Sequence, residues 1–227
     1  MPTTQVLLAW SGGKDAAWAL HVMRQRGEVE VVGLLTTVTR EYQRASMQGI
    51  RVEVVRAQAA AAGLPLLEAS IPARCNNDDY DAAMAGALTD AASRWPGLRT
   101  AAFGDLFLAD IRAYRAQRLA AAGWDLHTPL FDSDTAALAR QMQVGGLRAH
   151  LCCVDTRQLD TRFAGHAFDD ALQRELPQGV DPCGENGEFH TCVQAGPMFS
   201  APLDLRRGET VLRDERFAYT DFSLATT

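Results

Sequence analysis

The chain is poor in lysine and has no excess of positive charge. Among its 22 basic side chains Lys14 is the only lysine, and the formal net charge of the 227 residues is -6. Non-specific binding to DNA or RNA needs a basic surface that neutralises phosphates, so we do not expect a nucleic-acid partner. The preference for arginine is typical of a GC-rich genome, and the retained lysine lies in the most motif-like stretch of the chain.

Long hydrophobic runs and paired cysteines are also missing. No apolar run approaches the roughly 18 residues of a membrane-spanning helix, and the N-terminus lacks the pattern of a secretory signal. The five cysteines form no C-x-x-C pair, and their odd number argues against a disulfide framework. We therefore expect a reducing, cytoplasmic compartment and no membrane partner. The 47% hydrophobic content is ordinary for a globular chain with a sizeable core.

What the chain does contain is an alternation of strand and helix patterns over its first 130 residues. The patterns predict strands at 5–10, 30–38, 66–71 and 100–103, and helices at 14–25, 50–62, 80–94 and 109–122. Strands separated by helices of this length indicate βαβ units and a parallel sheet. We therefore predict an α/β domain over residues 1–130.

The pattern changes after residue 130. A helix is predicted to end at 144, and short strands follow at 147–154, 189–193, 210–213 and 217–219, with proline and glycine frequent between the later ones. This composition predicts a smaller α+β domain over residues 131–227.

A glycine-containing loop lies between the first predicted strand and the first helix. It reads Ser11-Gly12-Gly13-Lys14-Asp15. Open α/β sheets bind ligands outside the carboxyl ends of their strands, and a helix N-terminus offers free N–H groups to an anion. The loop is not a Walker A motif, because Leu8 stands where the first glycine would be and Asp15 replaces the hydroxyl residue after the lysine. It predicts a phosphate-binding site of another type.

A second group of polar residues lies at positions 181–191. It combines three carboxylates, one imidazole and one hydroxyl, from Asp181, Glu185, Glu188, His190 and Thr191. Such groups can position ammonia or ammonium, act as a general base, or bind Mg²⁺ through oxygen. A solvated acidic turn before a strand is the alternative interpretation.

Both motifs resemble those of a known group of enzymes. The loop is similar to the Ser-Gly-Gly-x-Asp-Ser signature of the PP-loop ATP pyrophosphatases. Residues 184–191, Gly-Glu-Asn-Gly-Glu-Phe-His-Thr, and 196–199, Gly-Pro-Met-Phe, resemble the diphthine–ammonia ligase family of these enzymes and its bacterial relatives. Further similar segments lie at 57–59, 63–65, 103–106 with Arg112, 128–131 and 164–166, so the resemblance extends over nearly all of the chain. It implies a Rossmann-like, adenine nucleotide alpha hydrolase-like fold with ATP and Mg²⁺ as cofactors.

The resemblance also implies an activity. In this family a carboxylate attacks the α-phosphorus of ATP and displaces pyrophosphate, and ammonia then converts the acyl adenylate to an amide and AMP. The ligases of the family amidate diphthine on translation elongation factor 2. The arginine- and alanine-rich composition favours a bacterial member, which would use another small-molecule or protein-borne carboxylate. A nucleotide sensor without turnover and an RNA-thiolating enzyme are the alternatives, and the oligomeric state stays open, with a homodimer included.

The resemblance implies roles for the loop residues. Gly12, Gly13 and Lys14 would hold the pyrophosphate end of ATP, and Ser11 would contribute its hydroxyl. Asp15 would orient the loop or a metal-bound water. The last position of the family signature is usually serine, and here it is Ala16. That difference leaves two interpretations, in which backbone N–H groups suffice or ATP binding is weakened.

Further candidate residues lie at the ends of two other strands. Thr36 and Thr37 are expected near the adenine or ribose, because they end the second strand. Asp105, which follows Gly104 after the fourth strand, is the candidate for a metal or ribose contact, and Gly104 is expected at the nucleotide.

The resemblance implies roles in the second domain as well. Glu185 and Glu188 are expected to face the acceptor and ammonia. His190 either assists them or makes a structural hydrogen bond.

Overall fold

The computed structural model describes residues 3–225, and separate parts of the chain form two sheets. The first part contains β1 (Thr4–Ala9), α1 (Lys14–Arg26), β2 (Val29–Thr39), β3 (Arg44–Ala45), α2 (Val52–Ala62), β4 (Leu66–Ile71), α3 (Asn77–Arg94), β5 (Thr100–Ala102), α4 (Ala109–Ala121) and β6 (Asp125–His127). The second contains α5 (Thr135–Val144), β7 (Arg148–Asp155), a 3₁₀ helix (Thr161–Phe163), α6 (Asp170–Glu175), β8 (Phe189–Ala195), β9 (Leu205–Arg213) and β10 (Phe217–Leu224).

The first sheet is mostly parallel. Its five parallel strands lie in the order β4–β2–β1–β5–β6, and β3 pairs antiparallel with the end of β2. The chain builds outward from β1 through β2 to β4, and then returns to the other side of β1 with β5. This reversal creates a crevice at the carboxyl ends of β1 and β5, which is where open α/β sheets bind ligands. The predicted α/β fold with a parallel sheet is confirmed.

The second sheet is antiparallel. Its strands lie in the order β8–β7–β10–β9, and α5 and α6 belong to the same part of the chain. This confirms the predicted smaller α+β unit. The last strand of the first sheet ends at His127 and the first strand of the second begins at Arg148. A domain boundary at residue 130 stays a prediction.

The position of β1 in the core accounts for the uninterrupted run of apolar residues in this strand. Val6, Leu7 and Leu8 are all buried because β1 lies in the middle of a sheet that is covered on both faces. One hydrophobic cluster joins the two sheets, since it includes Leu8 of β1 and Phe189 of β8. Among residues 3–225, no helix combines the length and the hydrophobicity that a membrane crossing requires.

Polar contacts fix the second part of the chain against the first. Asp221 on β10 accepts hydrogen bonds from Arg44, at 2.9 Å, and from Arg51, at 2.7 Å through its Nη2. These arginines lower the pKa of the Asp221 carboxyl. Arg24 of α1 donates to the carbonyl of Met198 at 3.1 Å, and the amide of Ser200 donates to a carbonyl of α2 at 2.8 Å. These contacts hold β10 and the segment that follows β8 against the first part of the chain.

Candidate functional site

A cavity of about 390 Å³ opens at the carboxyl ends of β1, β2 and β5. Most of the residues singled out in the sequence line it, together with others that were not, among them Tyr80 and Arg115. The polar lining includes Ser11, Gly13, Lys14 and Asp15 after β1, Thr36 and Thr37 of β2, Ser46 and Gln48 after β3, Gly104 and Asp105 after β5, Tyr80 and Arg115 of α3 and α4, and Glu185, His190 and Thr191 of the second part. The cavity therefore combines the glycine loop with the acidic segment.

Gly12 shapes the loop from behind rather than lining the cavity. Its φ of +79° is a backbone conformation that favours glycine, and a Cβ there would lie 2.8 Å from Oε1 of Gln58. Its carbonyl accepts hydrogen bonds from the Gln58 side chain and the Val193 amide, both at 3.0 Å. Next to it, the Gly13 amide donates to the Ser11 hydroxyl at 3.2 Å. The loop is thus held in a fixed shape by α2 and β8.

The start of α1 forms one wall of the cavity. Gly13 is the N-cap residue and provides no side-chain cap. The Lys14 amide donates to the hydroxyl of Thr191 at 3.0 Å, so β8 provides the cap that glycine lacks. The amides of Asp15 and Ala16 follow at the cavity wall, and amides in the first turn of a helix are well suited to bind an anion.

The Lys14 side chain is buried and its charge is compensated. It is only 2% exposed, and its Nζ lies 2.9 Å from Oδ2 of Asp15. The same Nζ lies 5.6 Å from the ring centre of Phe168 and 5.5 Å from that of Phe189. Burial lowers the pKa of Lys14, but the charge of Asp15 and other neighbours outweighs burial, so the pKa is raised. That Lys14 binds the phosphates directly stays a prediction.

Two carboxylates that line the cavity, Asp15 and Asp105, are partly buried beside cationic side chains. Burial raises the pKa of Asp15 despite the Lys14 charge, and its buried Oδ1 has no hydrogen-bond partner within the described residues. Burial also raises the pKa of Asp105, and Asp15 raises it further. Residues 3–225 contain no group of three or more His, Cys, Asp or Glu side chains that could hold a resident metal. Mg²⁺ is commonly bound by one or two carboxylates plus substrate phosphates, and Asp15 and Asp105 fit that arrangement.

Gly104 allows the end of β5 to approach the start of α1. A Cβ at this position would lie 2.7 Å from the carbonyl carbon of Asp15 and 2.9 Å from the amide nitrogen of Ala16. Both atoms belong to the backbone, which cannot move aside as a flexible side chain can. A residue with a Cβ therefore does not fit at position 104 unless this backbone shifts.

The two glutamates of the acidic segment have different positions. Glu185 lines the cavity, where its Oε1 accepts a hydrogen bond from the Leu106 amide at 2.9 Å, and burial raises its pKa to about 7. Glu188 is 2% exposed and lies outside the lining. Its Oε1 accepts from the Asp181 amide at 2.9 Å and from Asn186 at 3.1 Å, so this glutamate holds the turn together. Of the two glutamates, only Glu185 lines the cavity.

His190 lines the same cavity in its neutral form. Burial lowers its pKa to about 4, and the Lys14 charge acts in the same direction. Near neutral pH this imidazole can therefore donate or accept a hydrogen bond but carries no charge.

Sequence reasoning missed Gln58 and Arg115, and it singled out Thr191 without its role as a helix cap. Gln58 is fully buried in α2 and bonds Trp10, Gly12 and Val193, and its only sequence signal was an amide inside an alanine-rich helix. Thr191 caps α1, and Arg115 pairs with a carboxylate of the cavity wall. The sequence gives no direct signal for the Thr191 cap or for Arg115, because both roles depend on which elements pack together.

A second cavity of about 490 Å³ adjoins the first. The two share Ser46 and Met47, which lie in the loop between β3 and α2. The second cavity is lined on its other side by β9 and β10, and its polar lining includes Arg44, Tyr219 and Asp221. The loop that carries Ser46 and Met47 therefore contributes to the walls of both cavities.

Comparison with known proteins agrees with the site. A family model described as the diphthamide synthase N-terminal domain matches residues 4–113, and one described as the diphthamide synthase C-terminal domain matches residues 134–221. A search of curated proteins gives no match. The two family models match in the expected order and together cover most of the chain. The chain therefore belongs to the diphthamide synthase, or diphthine–ammonia ligase-like, family, which points to an ATP-utilising PP-loop enzyme.

Proposed function

We propose that this protein is an ATP-dependent ligase that adenylates a carboxylate and aminates it with ammonia. One observation carries the proposal: Glu185 of the second part lines the same cavity as the glycine loop that follows β1. Such a cavity could bring a nucleotide, an acceptor and a group able to exchange protons into one enclosed volume. The substrate of the second step is ammonia, and the first acceptor is a small-molecule or protein-borne carboxylate.

In the first step, an oxygen of the acceptor carboxylate attacks the α-phosphorus. The bond from that phosphorus to the bridging oxygen of the β-phosphate breaks, and pyrophosphate leaves. Negative charge develops on phosphate oxygens in the transition state, and preorganised donors stabilise it. The loop of Ser11, Gly12 and Gly13, together with the amides at the start of α1, would supply these donors.

In the second step, the nitrogen of ammonia attacks the acyl carbon of the adenylate, and AMP leaves. The nitrogen must lose a proton as the amide forms. Glu185, with a pKa of about 7, is partly ionised at neutral pH and could accept that proton. The neutral His190 could orient the nucleophile or the adenylate by a hydrogen bond.

The resemblance and the acidic lining fit a role for Mg²⁺. Asp15 and Asp105 would hold the ion together with phosphate oxygens of ATP. When bound, Mg²⁺ neutralises charge on the phosphates and withdraws electrons from them. Thr36 and Thr37, on the β2 side of the cavity, would contact the nucleoside.

The second cavity is the proposed location of the acceptor. It adjoins the nucleotide cavity at Ser46 and Met47, so an acceptor seated there could extend its carboxylate toward the α-phosphate. Polar and aromatic groups in its lining, among them Arg44 and Tyr219, suit an acceptor that has polar groups besides the reacting carboxylate.

The test is a product analysis with Mg·ATP, ammonium and a panel of carboxylates. We expect equal amounts of AMP, pyrophosphate and amide with a suitable acceptor, and a large loss of amide in Glu185→Gln. Glu209→Gln, at an exposed position of β9, is the matched control. ATP binding without pyrophosphate release under any condition would indicate a sensor, and RNA-dependent release would indicate a thiolating enzyme. Either result would contradict the proposal.

A further inference from the structure

Only two cationic side chains line the nucleotide cavity in the described part of the chain, Lys14 and Arg115. Lys14 is 2% exposed and paired with Asp15 at 2.9 Å. The Arg115 side chain, on α4, is 29% exposed. Three carboxylates belong to the same lining, so a polyphosphate needs positive charge there, and the charge of the buried lysine is already paired with Asp15. Arg115 is the accessible source of that charge.

Arg115 is held in the cavity wall by an incomplete ion pair. Its Nε lies 3.0 Å from Oδ2 of Asp105, and its guanidinium carbon lies 4.2 Å from the centre of the Phe103 ring. Both atoms of the ion pair are buried, yet their alignment does not make a hydrogen bond. Strong arginine–carboxylate pairs are usually bidentate with two aligned N–H donors. The donors of Arg115 are therefore not fully used by Asp105.

The helix that carries Arg115 is loosely packed at this end. Leu119 is the only buried residue of α4, and Ile111 and Tyr114 are exposed hydrophobic residues on its N-terminal turns. A shift of these turns toward the cavity would break few buried contacts. The guanidinium could therefore exchange its present partner for a ligand at low cost.

We propose that Arg115 leaves Asp105 when ATP binds and donates hydrogen bonds to the β- or γ-phosphate oxygens instead. This inference rests on the proposed function. The guanidinium fork matches phosphate oxygens better than a single off-axis carboxylate oxygen. The exchange also frees the Asp105 carboxylate, which the charge of Mg²⁺ can then recruit. Arg115 thereby couples phosphate binding to completion of the Mg²⁺ site.

A purely structural role makes a different prediction. If Arg115 served only to neutralise Asp105, its removal would have no effect on ATP affinity once Asp105 was also neutral. If Arg115 binds phosphate, its removal weakens ATP binding in both backgrounds. The double variant therefore separates the two roles.

The experiment is calorimetry of ATP and AMP binding with Mg²⁺ present. It compares the wild type with Arg115→Met, Asp105→Asn and the double variant. Arg118→Met is the matched control, because Arg118 lies on the same helix, pairs with Asp81 and is outside the cavity lining. We expect Arg115→Met to weaken ATP binding at least tenfold in both backgrounds, the scale of a charged hydrogen bond, and AMP binding less than threefold. Arg118→Met should leave both affinities unchanged.

Three results would overturn the inference. The first is that Arg115→Met weakens AMP binding as much as ATP binding. The second is that it leaves ATP affinity unchanged. The third is that it weakens ATP binding in the wild-type background but not in the Asp105→Asn background. Arg115→Lys keeps the positive charge but not the forked donors of the guanidinium, so it should bind ATP with intermediate affinity. It replaces Arg115→Met in the experiment if the methionine variant does not fold. A wild-type protein that fails to bind ATP would instead overturn the proposed function, and this inference with it.

Discussion

Replacement of Gln58 by methionine tests how the glycine loop is held. The change keeps the length of the side chain but removes three buried hydrogen bonds. These join Oε1 to the Trp10 indole at 3.2 Å, and Nε2 to the carbonyls of Gly12 at 3.0 Å and Val193 at 2.8 Å. The Gly12 carbonyl keeps the Val193 amide as a partner, whereas the buried indole N–H loses the only partner described for it. The two hydrogen bonds of Nε2 contribute about 1–3 kcal/mol together and the unsatisfied indole donor costs about 1–3 kcal/mol, so we expect a loss of about 2–6 kcal/mol of unfolding free energy.

Urea unfolding with linear extrapolation measures that loss. Gln143→Met is the matched control, because the side-chain nitrogen of Gln143 is buried without a hydrogen-bond partner in the described residues. Its removal should leave the free energy of unfolding unchanged or raise it. Because Gln58 fixes the Gly12 carbonyl, Gln58→Met should also weaken ATP binding. A loss of unfolding free energy below about 1 kcal/mol, or equal losses in the two variants, would refute this account of the loop.

Three further predictions concern the cavity wall. Gly104→Ala should destabilise the fold by about 1–3 kcal/mol and weaken ATP binding, because the new Cβ would clash with the backbone of Asp15 and Ala16. An unchanged melting temperature together with an unchanged calorimetric affinity for ATP would contradict this. Ala16→Ser should tighten ATP binding about tenfold by adding a hydroxyl at the phosphates, and equal or weaker affinity by calorimetry would disprove it. Amide formation should rise with pH through about 7 as Glu185 ionises, and a wild-type pH profile that is flat in this range would count against Glu185 as the base. The pKa of Glu185 is higher in the folded protein than in the unfolded chain, so its ionisation destabilises the fold. The free energy of unfolding of the wild type should therefore fall, relative to that of Glu185→Gln, as pH rises from about 4.5 to about 7. Urea unfolding at several pH values measures this difference.

The alternation of strands and helices could be predicted because local patterns of apolar residues and of glycine and proline indicate it. The strand at Leu66–Ile71 has the predicted bounds, and α1 extends one residue beyond its predicted end. Two short strands, Arg44–Ala45 and Asp125–His127, and the helix Asp170–Glu175 were missed, because segments this short have too few residues to show a period. The strand Leu205–Arg213 begins five residues earlier than predicted, since most of its side chains are exposed and show no apolar alternation.

The site was predictable only in part, for a related reason. Residues that directly follow strands, such as Ser11 and Asp105, meet at one edge of a parallel sheet whatever the details of packing. Gln58 and Arg115 reach the site from helices, and only the packing of those helices decides their positions. The expected role of Glu188 at the substrate stays a prediction, and in the structure the conformation of its turn directs its Oε1 to the Asp181 amide and the Asn186 side chain. No local pattern in the sequence encodes that direction.

The most direct test of the central claim is a crystal structure with Mg²⁺ and an ATP analogue whose α,β-bridging oxygen is replaced by methylene. The account predicts that the polyphosphate lies against the amides of the glycine loop and the start of α1, and that Arg115 contacts its β- or γ-phosphate. Analogue bound elsewhere, or its phosphates directed away from residues 11–16, would contradict the account.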